Sequence, residues 1–221
     1  MRVGPEDDAR RDPPPDDPWW AEWFAFGVGP SATGLGACSV IVLLPNQRRA
    51  LYVAAVVAPD RPLLSVVDVE QGMPARGLRL RNGNLWVDHV CDEPLRQWTV
   101  MNETYAVALD RPGEALGRAY GEPTPVAFDL EWYADRDPVA VEPAGYRIDG
   151  RVHGLIELRD GAVELDDVPG CHEHRWGRWP FPAPAGPRPA GLEAPALLVG
   201  PDGSLPWWSV LGADGWWFGG A

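Results

Sequence analysis

The stretch that decides the fold is G-Y-R-I-D-G-R-V-H-G-L-I-E-L-R-D-G-A-V-E-L-D-D-V-P-G-C-H-E-H-R-W-G-R-W, residues 145–179. Apolar and polar side chains alternate in its first part, and a period of two is typical of a β-strand with one buried face. Asp160-Gly161 predicts a tight turn between two strands. The sequence therefore predicts a β-hairpin that leads into the polar segment 171–175.

Other segments of the chain also have strand character. The runs A-C-S-V-I-V-L-L-P and A-L-Y-V-A-A-V-V-A-P are short, rich in Val and Ile, and closed by Pro, which favours a buried antiparallel pair over a helix. Asn82-Gly83 predicts a second hairpin. No segment has a convincing amphipathic helix pattern or βαβ alternation. We therefore predict an antiparallel all-β fold, either a closed barrel or a strongly curved sandwich, with short extra C-terminal strands.

The domain boundaries follow from changes in composition. Residues 1–17 are acidic and rich in Pro without periodicity, which predicts a disordered lead. We expect residues 18–221 to form a single β-domain. Within it, the Pro-rich residues 180–194 would connect the main body to the last strands.

Charge and composition exclude several classes of function. The formal net charge is −13, and all 19 cationic residues are Arg, so no basic stripe could neutralise phosphates and no lysine Schiff base can form. Three Cys make no disulfide framework. No apolar run approaches the roughly 20 residues that span a bilayer. We expect a soluble, cytoplasmic protein without nucleic-acid binding or membrane insertion.

Acid–base groups are concentrated near the second hairpin strand. Three of the four His lie in residues 145–179, and His is the side chain that titrates near neutral pH. A carboxylate that faces an apolar cavity would have a raised pKa and could protonate an alkene or a carbonyl. The competing interpretation is a solvated outer sheet face with cross-strand Arg–carboxylate pairs. The candidate catalytic residues are Glu173, His174, Asp129, Glu131 and His153.

Aromatic side chains supply candidates for ligand contacts. The 12 Trp favour either a core packed with large rings or a lining for an apolar ligand. Glu103 and Tyr105 would share a strand face and line a pocket or meet solvent. The candidate ligand-binding residues are Trp132, Tyr133, Trp176, Trp179, Glu103 and Tyr105.

A metal site is a weaker alternative. His172-x-His174 would place two imidazoles on one strand face, with Cys171, His89 and Cys91 as further candidate ligands. The spacing matches no zinc finger, and we favour His side chains held by hydrogen bonds. We predict neither a metal nor a cofactor.

The segment G-Y-R-I-D-G-R-V-H-G…C-H-E-H-R-W-G resembles the hydroxyneurosporene synthase (carotenoid 1,2-hydratase)/AttH-like group of lipocalin-related proteins. That group has an acidic-His-x-Trp-Gly signature after a G-x-V/I-x-G strand, and the match here is E-H-R-W-G at residues 173–177, with Glu in place of Asp. D-H-V-C-D-E-P-L-R-Q-W-T-V-M-N-E-T-Y-A-V-A-L-D and F-D-L-E-W-Y also resemble uncharacterised bacterial members. The resemblance covers most of residues 19–179.

This resemblance implies a lipocalin-like (calycin) barrel whose interior holds a terpenoid, polyketide or lipid-like ligand. Relatives include hydratases and cyclases, and the final strands would complete the barrel or cover one mouth. We predict a protein that binds a hydrophobic small molecule, with cofactor-free hydration, cyclisation or isomerisation as its candidate chemistry. The alternatives are a non-catalytic carrier or partner-binding subunit, and a metal-dependent β-barrel enzyme. Nucleophilic catalysis has no support, since no G-x-S-x-G is present.

Overall fold

The computed structural model describes residues 3–29, 31–58, 61–111, 120–141 and 144–178, and the backbone of three C-terminal strands. The strands are β1 (Trp20–Val28), β2 (Gly36–Leu44), β3 (Arg49–Val57), β4 (Leu63–Gly72), β5 (Leu78–Asn82), β6 (Leu85–Glu93), β7 (Gln97–Leu109), β8 (Glu122–Ala134), β9 (Val139–Ala140), β10 (Gly145–Leu158), β11 (Gly161–Arg178), β12 (Pro195–Leu198), β13 (Trp207–Gly212) and β14 (Gly215–Gly220). Two short 3₁₀ helices span Pro5–Asp8 and Pro45–Gln47. Within the described residues, no helix is long and apolar enough to cross a membrane.

Eight of the described strands close into a ring. Their order is β4-β3-β2-β1-β11-β10-β8-β7, and β7 returns to β4 by pairing Leu109 with Leu63. Strands β6 and β5 extend the sheet from the first half of β7. All these pairings are antiparallel. The predicted antiparallel all-β barrel is therefore confirmed.

The interior of the ring is filled with aromatic and aliphatic side chains. Alternation along each strand sends every second side chain inward, and these side chains form one buried cluster. Phe24, Phe26, Trp98, Phe128 and Trp132 belong to it and are each at most 4% exposed. The interior is therefore apolar, as predicted, but the chain's own side chains occupy it, and a ligand inside the barrel stays a prediction. Tyr52 of β3 and Tyr146 of β10 add to the rings from β1, β7 and β8.

A close approach of two strands fixes the position of one of these rings. A Cβ at Gly150 would lie 2.2 Å from the carbonyl oxygen of Tyr133 and 2.8 Å from the indole of Trp132. Gly170 is also tight, because a Cβ there would lie 2.5 Å from Val152. These glycines of β10 and β11 leave the space in which the Trp132 ring packs.

The outer face of β1, β2 and β3 is buried as well. Trp23, Val42 and Leu51 belong to a second apolar cluster on this face. Strand β12 contacts β3 and β4. Strands β12, β13 and β14 form a sheet of their own instead of completing the ring. The two Val-rich runs form β2 and β3 and pair antiparallel, as predicted. The predicted Pro-rich connection, residues 180–194, lies outside the described residues.

Both predicted hairpins exist, but each turn lies one residue from its predicted position. Asn82 pairs with Leu85, so the turn residues are Gly83 and Asn84. In the β10–β11 hairpin, Leu158 pairs with Gly161, so residues 159–160 form the turn. Gly83 has φ +51°, the left-handed region that favours Gly, which explains why it takes the first turn position.

Residues 3–17, here called the N-terminal strap, cross one end of the ring. The strap contains no strand, and its 3₁₀ helix carries the buried Asp8. Asn46 Nδ2 donates hydrogen bonds to the carbonyl oxygens of Pro14 and Asp17, at 2.8 and 2.7 Å. The strap is thus ordered, unlike the predicted disordered lead. Its contacts with the barrel offset the conformational entropy lost on ordering, which its polar composition alone could not offset.

Candidate active site

Two histidines of β11 point into the ring beside two phenylalanines of β1. The antiparallel register makes His174 the partner of Phe24 and His172 the partner of Phe26. The rings stack in both pairs, with centroids 4.0 and 4.4 Å apart. Both His side chains are completely buried. The predicted placement of His172 and His174 on one strand face is therefore correct.

The strap inserts the Asp8 carboxylate beside His172. Asp8 Oδ2 accepts hydrogen bonds from Leu95 N at 2.6 Å and from Trp98 Nε1 at 3.0 Å. Asp8 Oδ1 accepts from the Tyr146 hydroxyl and lies 3.1 Å from His172 Nε2. Four donors from the barrel therefore converge on one carboxylate of the strap.

These contacts set the protonation of Asp8 and of its neighbours. Burial alone would raise the pKa of Asp8, but the hydrogen bond and charge of His172, with the bonds from Leu95 and Tyr146, hold that pKa well below its usual range. Burial, then the Asp8 charge, raises the pKa of Tyr146. Burial and the same charge raise the pKa of Cys91 to about 12, and its Sγ lies 3.7 Å from Asp8 Oδ2. The site therefore holds an anion among protonated donors.

The second imidazole forms a pair with a carboxylate of β1. His174 Nε2 lies 2.9 Å from Glu22 Oε1, and Glu22 is 1% exposed. The backbone N–H of Arg11 also donates to Glu22. Burial lowers the pKa of His174, and its hydrogen bond to the Glu22 carboxylate offsets part of that effect. The two residues lie on neighbouring strands and stay together whatever the strap does.

Each imidazole has an oxygen on both sides. His174 Nδ1 lies 2.7 Å from the carbonyl oxygen of Asp7, opposite its contact with Glu22. His172 Nδ1 lies 3.3 Å from the carbonyl oxygen of Ala25. A neutral imidazole has only one N–H, so it can satisfy only one of two such acceptors. Each imidazole therefore lies between a carboxylate oxygen and a backbone carbonyl oxygen.

The remaining signature aromatic, Trp176, faces the strap. The Arg11 guanidinium lies over its ring, 3.5 Å from the centroid. Trp176 also meets the edge of His174, with ring centroids 5.0 Å apart. Arg11 forms an ion pair with Asp7 of the strap. Trp176 therefore contacts the strap, and its ligand-lining role stays a prediction. Trp179 lies outside the described residues.

A second polar group lies inside the ring among the apolar side chains. Ser39 Oγ lies 2.8 Å from His89 Nε2 and 2.9 Å from the Tyr52 hydroxyl. The Asn102 amide donates to Tyr52 and accepts from the N–H of Phe128. Burial, followed by the charge of His172, lowers the pKa of His89 to about 3. His89 is thus neutral, and its Nε2 is already engaged in a hydrogen bond with the Ser39 hydroxyl.

Glu173 lies on the other side of β11 from His174. It is 4% exposed, and its nearest cation is Arg175, 3.7 Å away. Burial raises the pKa of Glu173, and the charges of Arg175 and Arg147 offset part of the rise. Strand alternation had predicted that Glu173 and His174 point apart. The structure therefore does not bring these two candidate catalytic residues together.

Three further candidates lie on the outer face of β8 and β10. Asp129 and Glu131 are exposed, and the Tyr133 hydroxyl donates to Glu131 at 2.9 Å. His153 is partly exposed, and its Nδ1 lies 3.2 Å from Asp166. These groups correspond to the solvated outer face that was the competing interpretation, and they are separated by the sheet from His174. Trp132 points to the interior and Tyr133 does not.

Two open pockets lie at the end of the ring opposite the strap. Strand β10 runs from Tyr146, near the strap, to Leu158, which lines both pockets. The larger, about 830 Å³, is an open groove that includes Glu103, Tyr105 and Trp86. The smaller, about 320 Å³, has a mainly apolar lining that includes Leu158. Glu103 and Tyr105 therefore line a groove, as one of the two expectations had it.

The proposed metal-ligand set is divided between two faces of the sheet. Cys171 is on the outer side of β11 and His172 on the inner side. In the ranges that the structure describes, no three His, Cys, Asp or Glu side chains are grouped as a metal site requires. Burial raises the pKa of Cys171 to about 11, so its thiol is protonated.

Sequence reasoning missed the carboxylates and the hydroxyl of this cluster. Asp8 lies in a segment whose composition indicates disorder, and Tyr146 gave no separate signal. Glu22 had a usable signal, since it is the one charge in the apolar strand W-A-E-W-F-A-F-G-V. A lone carboxylate on the inward face of such a strand indicates a buried partner.

Comparison with known proteins finds one family model that covers both the strap and the ring. A family model described as "Domain of unknown function (DUF7064)" matches residues 4–184, a region that begins within the strap and extends beyond β11. No curated protein matches the chain. The crystal structure of kievitone hydratase from Nectria haematococca is similar with 11% identity and a TM-score of 0.45, over 89% of this chain and 63% of that one. This chain therefore spans less than two thirds of that protein.

Proposed function

This chain belongs to the family described as "Domain of unknown function (DUF7064)", and we propose that it binds an apolar small molecule inside its barrel and transfers protons to and from it. The observation that carries the proposal is the pair of buried His–carboxylate contacts. His172 with Asp8 and His174 with Glu22 lie side by side among Phe rings, and all four side chains are at most 1% exposed.

Such pairs are costly for the fold, which supports a chemical role. Burying charged groups costs free energy, and replacing a buried ion pair by apolar side chains is often neutral or stabilising. Perturbed titratable groups in a barrel interior are therefore candidates for proton transfer. Glu22 and His174 are the central pair, because both are fixed on barrel strands. Tyr146 is a third proton-bearing group, next to His172.

Access to the pairs would come from movement of the strap. The strap forms no strand, so its withdrawal would leave every hydrogen bond of the ring in place. It covers the end at which Trp98, Tyr146 and Trp176 meet it. An apolar ligand in that space would contact aromatic rings on one side and the His–Glu pair on the other.

The chemistry that such a pair can supply needs no cofactor. In hydration, the protonated member of the Glu22–His174 pair gives its proton to one carbon of a C=C bond. Water adds to the other carbon, and the proton lost by that water returns to the pair. Isomerisation uses the same two transfers without the water. The resemblance of residues 173–177 to the hydroxyneurosporene synthase/AttH-like signature supports this reaction class, and membership of that group stays a prediction.

A non-catalytic carrier is the second candidate function. It is favoured by the pocket of about 320 Å³ at the open end, whose lining includes Leu35, Val56 and Leu64. That volume lies at the lower end of the range for small-molecule sites, about 300–1,000 Å³. In a carrier, the buried His–carboxylate pairs would brace the fold and take no part in chemistry.

Isotopic labelling separates the two functions. Purified protein is incubated with an apolar extract of its source cells in ¹⁸O-labelled water and, separately, in D₂O, and the extract is analysed by mass spectrometry. The proposal predicts a product with one ¹⁸O or with one carbon-bound deuterium, formed by the wild type and lost in Glu22→Gln and His174→Gln. Glu131→Gln, on the outer face, is the matched control and should retain the activity.

The outcome that contradicts proton transfer is equally specific. If apolar compounds co-purify in native mass spectrometry but no label enters any of them, the protein is a carrier. If Glu22→Gln binds and labels as well as the wild type, then this pair is not the catalytic group. Melting temperatures of all variants are measured alongside, so that loss of fold is not mistaken for loss of activity.

A further inference from the structure

The donors around Asp8 form a site that belongs to the barrel, whereas the acceptor belongs to the strap. Leu95 lies in the β6–β7 turn, Trp98 on β7, Tyr146 on β10 and His172 on β11. Each presents an N–H or O–H to the same carboxylate. None of the four is part of the strap. Withdrawal of the strap would leave an oxyanion cradle of four buried donors without an acceptor.

From this arrangement we propose that the cradle is a carboxylate-binding site, occupied by Asp8 in the closed state and by the carboxylate of an apolar small molecule in the open state. The proposal rests on the proposed function, since it names the class of ligand that would bind in the space beneath the strap. Asp8 is then a tethered stand-in for the head group of that ligand.

The donor geometry matches a carboxylate. Two donors meet each oxygen of Asp8, which is the number of lone-pair positions that a carboxylate oxygen offers. A phosphate would bring a third anionic oxygen for which the four donors leave no partner.

The surroundings require the rest of the ligand to be apolar. Phe26 stacks on His172 with ring centroids 4.4 Å apart. The centroids of the Trp98 and Trp132 rings lie 5.2 and 5.5 Å from that of the same imidazole. A polar chain in this space would lose its hydration without gaining partners. The expected ligand is therefore an aliphatic or aromatic acid with one carboxylate.

Asp8 and the carboxylate of the ligand would compete for the same four donors. Asp8 is on the same chain as the cradle, so it competes at a high effective concentration. Removing it should therefore strengthen the binding of a free carboxylate much more than that of a neutral analogue, which gains only from weaker closure of the strap. Octanoate and octan-1-ol have chains of equal length and differ in the head group, so they are suitable probes.

The experiment measures both probes by tryptophan fluorescence and calorimetry with full-length wild type, Asp8→Ala and Asp12→Ala. Asp12 is an exposed strap carboxylate and serves as the matched control. We expect Asp8→Ala to bind octanoate at least about tenfold more tightly than the wild type, because the occluded state no longer competes. Octan-1-ol should gain clearly less affinity than octanoate from Asp8→Ala, and Asp12→Ala should behave as the wild type.

A second measurement uses the wild type alone and so does not depend on how the variant folds. Arg10 and Arg11 are trypsin sites within the strap. Octanoate should accelerate cleavage after them severalfold by releasing the strap, and octan-1-ol at the same concentration should not. Equal acceleration by the two probes, or none by octanoate, would overturn the proposal.

The two proposals fail in different ways. If octanoate and octan-1-ol bind Asp8→Ala with equal affinity, the carboxylate site is refuted. The proposal that an apolar molecule binds inside the barrel is not affected by that result. If Tyr146→Phe in the Asp8→Ala background does not weaken octanoate binding, the carboxylate is not in the cradle. The labelling experiment above decides proton transfer independently of either result.

Discussion

Acid should destabilise this protein in a way that Asp8 controls. Its carboxylate is 2% exposed and accepts four hydrogen bonds from the barrel. Burial alone would raise its pKa, and the contacts with His172, Leu95 and Tyr146 outweigh burial and lower it. A carboxyl group with a lowered folded-state pKa contributes stability that is fully present above its unfolded pKa, about 3.9. That contribution is lost as pH falls through the folded-state pKa.

The size of the effect follows from what Asp8→Asn leaves behind. The amide removes the charge opposite His172 and turns two N–H groups toward existing donors. Breaking one partner of a buried charge pair costs about 3–5 kcal/mol. At about 2–4 °C per kcal/mol for a chain of this size, the melting temperature at neutral pH should fall by about 6–20 °C.

The assay is urea unfolding of the wild type, Asp8→Asn and the exposed control Asp12→Asn, followed by tryptophan fluorescence between pH 7 and pH 3. The stability difference between wild type and Asp8→Asn should be constant from pH 7 to about pH 5 and then shrink by about 1.4 kcal/mol per pH unit below about pH 4. Asp12→Asn should follow the wild type throughout. A difference that stays constant to pH 3, or widens with acid, would refute this account of Asp8.

Three further substitutions test the packing around the site. Gly150→Ala should destabilise the protein by about 1–3 kcal/mol or more in thermal unfolding, because its Cβ meets backbone, whereas Gly72→Ala, with nothing within 4 Å, should change stability by less than about 0.5 kcal/mol; equal effects would contradict the close approach. Arg11→Ala should shift the emission of Trp176 and lower stability by about 0.5–1 kcal/mol, and an unchanged spectrum would argue against the cation–π contact. Ser39→Ala should cost about 1–3 kcal/mol in urea unfolding, because it leaves two buried polar partners unsatisfied, and a neutral result would show that the interior network is not formed.

The fold could be predicted because strand alternation and short Val-rich runs are local signals. The period of two in residues 145–158 predicts a strand with one buried face, and Ile148 and Val152 lie on that face. Turn positions were each one residue off, because the same Gly can occupy either central position or the first paired position of a hairpin. Ring closure, through β7 and β4, is a long-range pairing that no local pattern specifies.

The candidate site was only partly accessible to sequence reasoning. Alternation correctly placed His174 and His172 on one strand face, whereas the catalytic role of His174 stays a prediction. Its partner Glu22 lies on β1, far away in sequence, and neither spacing nor periodicity links them. Asp8 was missed because composition describes the average of a segment. The position of this segment depends on the contacts of a single buried carboxylate.

The pairing of β1 with β11 has a consequence for biosynthesis. Trp20 leaves the ribosome about 150 residues before its partner Arg178, which at about 5–20 residues per second is a delay of about 8–30 s. During that interval one edge of β1, apolar on both sides, has no neighbour to hydrogen-bond with. That edge is therefore open to edge-to-edge aggregation until β11 has been made, and expression at a lower temperature, which weakens hydrophobic association, should raise the soluble yield.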